Sequence, residues 1–221
     1  LLAPRWLEQL GCTVLAVNDD PTAPFPHRPE PKPETMAQLK AVVRAGGADL
    51  GFAHDADGER IGLVTAEGVA LSEERTLTIA AAITLSHGPG VVVTNISTTR
   101  AIDDVAKRYG GTVVRTPVGQ SYISEAMVEH GAVVGGEGNG GVAVPRVICS
   151  HDAASAQGLI LEHMARTGAS LKALVDELPA YAMVKHDFAV TPSALYSVLQ
   201  GFRDEIERES LQSDASDGMV V

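Results

Sequence analysis

The chain has 221 residues, of which 45% are hydrophobic, and a formal net charge of −11 at pH 7. This length holds one large or two ordinary domains with a sizeable core, and the negative charge argues against a nucleic acid or an anionic membrane as a partner held by general electrostatics. With two cysteines and no apolar run near the roughly 20 residues that span a bilayer, we expect no disulfide framework, no membrane segment and a cytoplasmic location.

Strands and helices are predicted to alternate along the chain, with glycine and proline between them. The chain begins inside a helix, "LLAPRWLEQLG", so we expect a piece of a longer protein. Up to residue 88 the predicted order is strand 12–17, a proline-rich connection, helix 35–47, strand 48–53, a hairpin over 60–71 turning at 66–68, and helix 72–88 capped by Ser72. After it come strand 91–96, helix 97–111 capped by Ser97, strand 112–116, helix 120–131, strands 132–136 and 142–145, helix 152–166 capped by Asp152, and helices 170–178 and 193–210.

This alternation predicts an α/β protein. We expect two consecutive three-layer-like domains, each a mixed β-sheet with flanking helices, and the start of a further domain. The predicted domains are residues 1–88, 89–190 and 191–221.

An acidic stretch follows a buried strand in "GADLGFAHDADGERIGLV", residues 47–64. Asp55, Asp57 and Glu59 stand at alternate positions beyond the carboxyl end of that strand, where ligands gather in open α/β sheets. Carboxylates so placed suit a hard cation such as Mg²⁺, and Arg60 beside them could neutralise a phosphate. A solvated turn between two strands is the alternative, and the local residues leave both interpretations open.

Two other acidic motifs were compared with this stretch. An EF-hand loop counted from Asp55 requires glycine and glutamate where the chain has Arg60 and Ala66, which excludes the calcium interpretation. A haloacid-dehalogenase-type phosphatase also has Asp-x-Asp after an apolar strand, usually followed by Gly-Thr. Here Gly58-Glu59 follows, and no later lysine precedes an acidic pair, so the phosphatase is kept as a rival hypothesis.

A glycine-rich stretch, "GAVVGGEGNGGVAVP" at residues 131–145, lies between two predicted strands. Its Asn-Gly pair is typical of a hairpin turn. The functional alternative is a loop whose backbone passes close to a ligand, with Glu137 and Asn139 hydrogen-bonding to hydroxyl groups. The Lys-Ser/Thr ending of a nucleotide P-loop is missing, so triphosphate binding is not supported.

Taken together, the two stretches resemble one family. "AHDADGER" resembles the metal-binding Asp-x-Asp-x-Asp-Arg loop of the α-D-phosphohexomutases, the superfamily of phosphoglucomutase, phosphomannomutase and phosphoglucosamine mutase. "GGEGNGG" resembles their sugar-recognition loop. "FPHRPEPKPE", "RTPVGQSYISEAM", "LPAYAMVK" and "DGMVV" follow the family's order, so the resemblance runs through the whole chain and covers family domains two and three with the first element of domain four.

The resemblance implies a Mg²⁺-dependent transfer between hexose 1-phosphate and 6-phosphate, through a phosphoserine and a bisphosphorylated sugar. It assigns metal binding to Asp55, Asp57 and Glu59, phosphate contact and catalysis to Arg60, and substrate binding to Glu137, Asn139, Thr116 and Gly119. No stretch of this chain matches the family's phosphoserine loop or its phosphate-gripping loop, so the piece alone is expected to be inactive. The expected partners are a hexose phosphate, the remaining domains and a second copy in a homodimer.

Three residues depart from the family pattern. Glu59 stands at the usual third aspartate, Asn139 where many relatives have serine, and Pro117 where many have a basic residue. His54 is interpreted as a structural neighbour of the metal loop. Glucosamine, mannose and glucose phosphates remain as substrates, with a glucose 1,6-bisphosphate-type activator, and a sugar-phosphate or metal-binding relative without turnover is the alternative function.

Overall fold

The computed structural model describes residues 2–185, 188–211 and 213. The predicted α/β class, with sheets flanked by helices, is confirmed. The elements are α1 Leu2–Gln9, α2 Ala37–Gly46, β1 Leu50–His54, β2 Ile61–Thr65, α3 Glu74–Leu85, β3 Val91–Asn95, α4 Ala101–Arg108, β4 Thr112–Thr116, α5 Gln120–Glu129, β5 Val134–Gly136, β6 Val142–Ala143, α6 Ala153–Thr167, α7 Leu171–Asp176 and α8 Pro192–Arg208.

The chain divides into two compact units, one up to Ala180 and one from Tyr181 onward. The first unit contains both sheets. The second contains α8, which begins after Thr191, whose side chain accepts a hydrogen bond from the backbone N–H of Ala194. Within the described ranges, a search for a helix of the length and apolar character that a bilayer crossing requires finds none.

The larger sheet has the strand order β4-β3-β5-β6, in which β3 is parallel to both β4 and β5, and β6 is antiparallel to β5. Helices cover both of its faces. Val92 belongs to the core cluster that includes residues of α3, α4 and α6, whereas Val93 packs with Ile123 and Met127 of α5 on the other face. Because β4, β3 and β5 are parallel, their carboxyl ends meet at one edge, which is where ligands bind in open α/β sheets.

The smaller sheet is an antiparallel pair in which β1 and β2 form a hairpin. His54 pairs with Ile61, so the acidic stretch from residue 55 to 60 is the loop of this hairpin. All five residues of β2 are buried. Val64 packs with Met36 and Val43 beside α2, while Ile61 joins the core cluster under α3. Strand β2 therefore fixes the end of the acidic loop against the core of the larger sheet.

Two predicted strands are wrong in whole or in part. Residues 12–17 form no strand in the structure, and β1 pairs only with β2. The side chain of Leu15, which is 51% exposed, instead lies against Gly46 at the end of α2, so it contacts that helix without ladder hydrogen bonds. The second arm of the 60–71 hairpin is reduced to one bridge between Val64 and Ala70, although the turn itself is present, with Gly68 N–H donating to Thr65 O.

Predicted helix starts differ from the observed ones at several places, including α2, which begins at Ala37 and not at residue 35. Helix α4 begins at Ala101, because the backbone N–H and hydroxyl of Ser97 donate to the Asn95 side chain at 3.1 and 3.0 Å and keep this segment non-helical. Helix α3 begins at Glu74, two residues after Ser72. The Asp152 cap of α6 is confirmed, since its carboxylate accepts from the N–H of Ser155 at 2.8 Å. The "DGMVV" segment lies outside the described residues.

Candidate functional site

The acidic hairpin loop is organised around Asp55. This residue is only 5% exposed, and its Oδ1 accepts from the backbone N–H groups of Glu59 and Arg60 at 3.0 and 3.1 Å. The Nε of Arg60 donates to its Oδ2 at 2.5 Å. Burial raises the pKa of Asp55, but the backbone N–H and guanidinium of Arg60 outweigh it and hold the pKa below its ordinary value. Asp55 is therefore an ionised carboxylate that closes the loop on itself.

The other two acids of the loop have different neighbours: the Asp57 side chain lies within hydrogen-bonding reach of Asp55 and helps to lower its pKa, whereas Glu59 faces Gln120. Asp57 is exposed at the loop tip, next to Gly58 with a φ of +75°. Glu59 is half-buried, and with the Gln120 amide assigned the orientation in which both of its ends have partners, Glu59 Oε2 accepts from Gln120 at 3.2 Å. Across the described residues, no three His, Cys, Asp or Glu side chains come together in a group that could hold a metal ion. The oxygen donors suit Mg²⁺ in type, but they do not converge on one point.

The glycine-rich loop connects β5 to β6 and holds a buried carboxylate. Glu137 is 6% exposed. Its Oε1 accepts from Asn95 Nδ2 at 2.6 Å and from the backbone N–H of Gly119 at 3.2 Å, and its Oε2 accepts from Asn139 Nδ2 at 3.1 Å. Asn139 in turn accepts from the N–H of Gly141 at 3.0 Å. The loop is thus a hairpin turn, as its Asn-Gly pair predicted, and the Glu137 carboxylate is buried within it.

The carboxyl ends of the three parallel strands converge on this glutamate. Asn95 ends β3, Thr116 ends β4, and Glu137 follows β5. Gly119, at a φ of +138°, precedes α5 and directs its N–H to Glu137. Thr116 is buried and donates its hydroxyl to Pro117 O at 2.8 Å, so it shapes the edge of the sheet from within.

The two predicted loops are joined directly through their backbones. Arg60 forms an antiparallel bridge with Gly141, and the N–H of Ile61 donates to Gly140 O at 3.1 Å. Gly140 has a φ of +95°, and a Cβ there would lie 2.6 Å from Ile61 O, so only glycine allows this approach. The Gln120 amide adds a second link, because it contacts both Glu59 and the backbone N–H of His151 after the glycine loop. The predicted metal and sugar motifs therefore form one continuous surface.

Some residues of the site were not identified from the sequence. Asn95 Oδ1 accepts from Thr98 Oγ1 at 2.8 Å, and that hydroxyl accepts from the N–H of Gly138 at 3.0 Å. The carboxylate of Glu74 accepts from Thr99 N–H and lies where a Cβ on Gly138 would sit. The available signal was the polar run "TNISTT" directly after an apolar strand, at the edge where ligands gather.

We expect Asn95→Ala to lower the free energy of unfolding by about 2 to 4 kcal/mol. The substitution removes a hydrogen bond to the buried Glu137 carboxylate, and bonds to charged groups are worth about 1.5 to 3 kcal/mol. It also removes the side-chain oxygen that accepts hydrogen bonds from Ser97 and Thr98. Urea denaturation measures the loss. Gln38→Ala is the control, because Gln38 is exposed on α2 and its side chain accepts from Asn18 on that surface. Equal small effects for both variants would contradict the assigned network.

Comparison with known proteins gives a consistent result along the chain. The family description "Phosphoglucomutase/phosphomannomutase, alpha/beta/alpha domain II" matches residues 1–68, and "alpha/beta/alpha domain III" of the same family matches residues 72–181. "Phosphoglucomutase/phosphomannomutase" of Thermococcus kodakarensis is 34% identical over 100% of this chain and 49% of its own length. "Probable phosphoglucosamine mutase" of Methanopyrus kandleri is 38% identical over 100% of this chain and 49% of its own.

A solved structure supports the same relationship. The crystal structure of a phosphoglucomutase/phosphomannomutase family protein from Burkholderia thailandensis matches with a TM-score of 0.77 and 28% identity, over 99% of this chain and 47% of that chain. The chain thus spans about half the length of the relatives it matches.

Proposed function

The chain belongs to the phosphoglucomutase/phosphomannomutase family of α-D-phosphohexomutases, and we propose that the protein containing it interconverts hexose 1-phosphate and hexose 6-phosphate. The observation that carries the proposal is the backbone pairing of Arg60 and Ile61 with Gly140 and Gly141. This pairing brings a cationic group for phosphate and a carboxylate for sugar hydroxyls into one surface.

Each side chain has a role that its geometry permits. Within the described part of the chain, Arg60 donates to Asp55 from Nε, and its side chain is 31% exposed. The rest of the guanidinium could therefore bind a phosphate. Glu137, with three N–H donors on it, would give up the amide of Asn139 to accept from a sugar hydroxyl. The phosphoryl group would come from a phosphoserine in another domain of the whole protein, and the bisphosphorylated sugar would turn over in the site.

We propose that Asp57 and Glu59, with Asp55, hold Mg²⁺ in the whole protein. Their oxygens are of the type that Mg²⁺ prefers, and Asp57 is already exposed. When bound, the ion would offset the charge of the transferring phosphoryl group. We expect chelation with EDTA to abolish turnover and Mg²⁺ to restore it, as measured by coupled hexose-phosphate assay. Undiminished turnover after chelation would contradict the metal assignment.

The names of the relatives, phosphoglucomutase/phosphomannomutase and probable phosphoglucosamine mutase, support a proposal for the substrate class. We propose glucosamine, glucose or mannose phosphate as substrate, with a sugar bisphosphate as activator. Two rivals predict other outcomes: a phosphatase would release inorganic phosphate, and a binding protein would retain the sugar phosphate unchanged.

Glu137→Gln is expected to lower kcat/KM for the preferred hexose phosphate by about ten- to a hundredfold, the equivalent of about 1.5 to 3 kcal/mol for a hydrogen bond to a charged group. Phosphorylation of the serine should persist, because the carboxylate contacts sugar rather than phosphate. Steady-state assays and phosphoenzyme retention on the intact protein measure both. Glu125→Gln, exposed on α5, is the control. Unchanged kcat/KM would remove the sugar-loop assignment.

A further inference from the structure

His151 lies under the junction of the acidic and glycine-rich loops. Its backbone N–H donates to the Gln120 side chain at 3.0 Å, and the next residue, Asp152, donates its N–H to Val142 O at 3.0 Å. The imidazole packs on Gly141 so closely that a Cβ there would lie 2.5 Å from Nδ1. Gly141 is the residue that pairs with Arg60 and accepts from the N–H of Glu137. The ring therefore contacts the point where the two loops meet.

The Nε2 atom of His151 has no use within the fold. The residue is 7% exposed, and Nε2 makes no hydrogen bond in the part of the chain that the structure describes. A buried polar atom without a partner costs stability, so an apolar ring would serve packing better. Burial also lowers the pKa of His151, although the nearby Glu137 carboxylate opposes this, and the shift favours the neutral ring. A neutral imidazole offers one donor and one acceptor.

We propose that His151 is a positioning residue of the sugar-phosphate site and acts through Glu137 and Gly141. Its ring holds Gly141 against Arg60, and its nitrogen steadies the Glu137 carboxylate when a sugar hydroxyl displaces one of the amide donors that Glu137 now uses. This inference rests on the proposed function.

Three variants of the intact protein distinguish the packing of the His151 ring from the hydrogen bonding of its nitrogen atoms. His151→Phe keeps a ring and removes the nitrogens, and His151→Gln keeps a hydrogen-bonding group. Thr84→Val is the matched control, because Thr84 Oγ1 on α3 is another buried atom for which the described residues offer no partner. We expect His151→Phe to keep or raise Tm while kcat falls about tenfold or more, since small misplacements in a site have effects of this size.

His151→Gln should recover part of kcat, and Thr84→Val should leave kcat unchanged. A Phe variant with wild-type kcat, or with Tm and kcat reduced together, would overturn the proposal, because either result makes His151 a packing residue alone.

Hydrogen exchange tests the same inference without turnover. In His151→Ala, the amides of Ile61 and Gly141 should exchange about tenfold faster or more than in Thr84→Val, because the loop pairing loses its support. Unchanged exchange would overturn the positioning role. If the wild-type protein converts no hexose phosphate at all, the proposed function fails, whereas the exchange comparison still decides whether His151 holds the loops together.

Discussion

Replacing Asp57 with alanine is expected to reduce hexose-phosphate turnover by about a hundredfold or more while leaving Tm unchanged. The side chain is exposed at the tip of the β1–β2 loop, so the fold loses little without it. Its proposed task is to hold a Mg²⁺ ion that stabilises the charged transition state by several kcal/mol. Each 1.4 kcal/mol of lost stabilisation lowers the rate about tenfold. Steady-state assays with added Mg²⁺ and a thermal melt measure the two quantities.

Asp49→Ala is the matched control for this experiment. Asp49 is also an exposed aspartate, but it precedes β1 at the end of the strand opposite the loop. The two variants remove the same charge from the same hairpin, so only the Asp57 variant should lose turnover. If the Asp57 variant keeps as much activity as the Asp49 control, the loop tip takes no part in the reaction.

Arg60→Met is expected to impair both stability and turnover. The Asp55 side chain is 1% exposed, and the variant leaves its carboxylate without the guanidinium that now pairs with it. Removing one partner of a buried ion pair costs about 3 to 5 kcal/mol, and we expect the lower end because Arg60 itself is 31% exposed. Turnover should fall by about a hundredfold or more through the lost phosphate contact. Urea denaturation and steady-state kinetics measure the two effects.

Two further variants test the Arg60 prediction. Arg146→Met removes a surface pair with Glu162 of 3.1 Å, in which the arginine is 63% exposed, and should change the free energy of unfolding by less than about 1 kcal/mol. Arg60→Lys keeps the charge and loses the planar fork, so it should retain more stability than Arg60→Met but still turn over slowly. A Met variant as stable as the Arg146 control would contradict the assigned burial of the Asp55 pair.

The positions of both loops could be predicted from the sequence because each directly follows an apolar strand, and the carboxyl ends of strands are where ligand loops lie. The partners of their side chains could not. Asp55 and Arg60 were assigned to different groups, metal and phosphate, yet they pair with each other at 2.5 Å. Five residues of sequence separate them, and no periodicity indicates that the loop folds back on itself.

Contacts between residues far apart in the sequence could not be predicted for a different reason. Asn95 and Glu137 are 42 residues apart and meet only because β3 and β5 are parallel neighbours. Residues 12–17 show the opposite error, since a short apolar run is equally compatible with a paired strand and with an unpaired segment beside α2. Strand pairing depends on which backbone edge is available, and side-chain pattern does not encode that.

The central claim is that the two joined loops serve transfer of a phosphoryl group between two positions of one sugar. The most direct measurement is ³¹P NMR of the intact protein with glucosamine, glucose and mannose 1-phosphates in turn, with Mg²⁺ and a catalytic amount of sugar 1,6-bisphosphate. The account predicts that at least one 1-phosphate signal converts to that of the 6-phosphate, without inorganic phosphate. Release of inorganic phosphate, or three unchanged spectra, would contradict it.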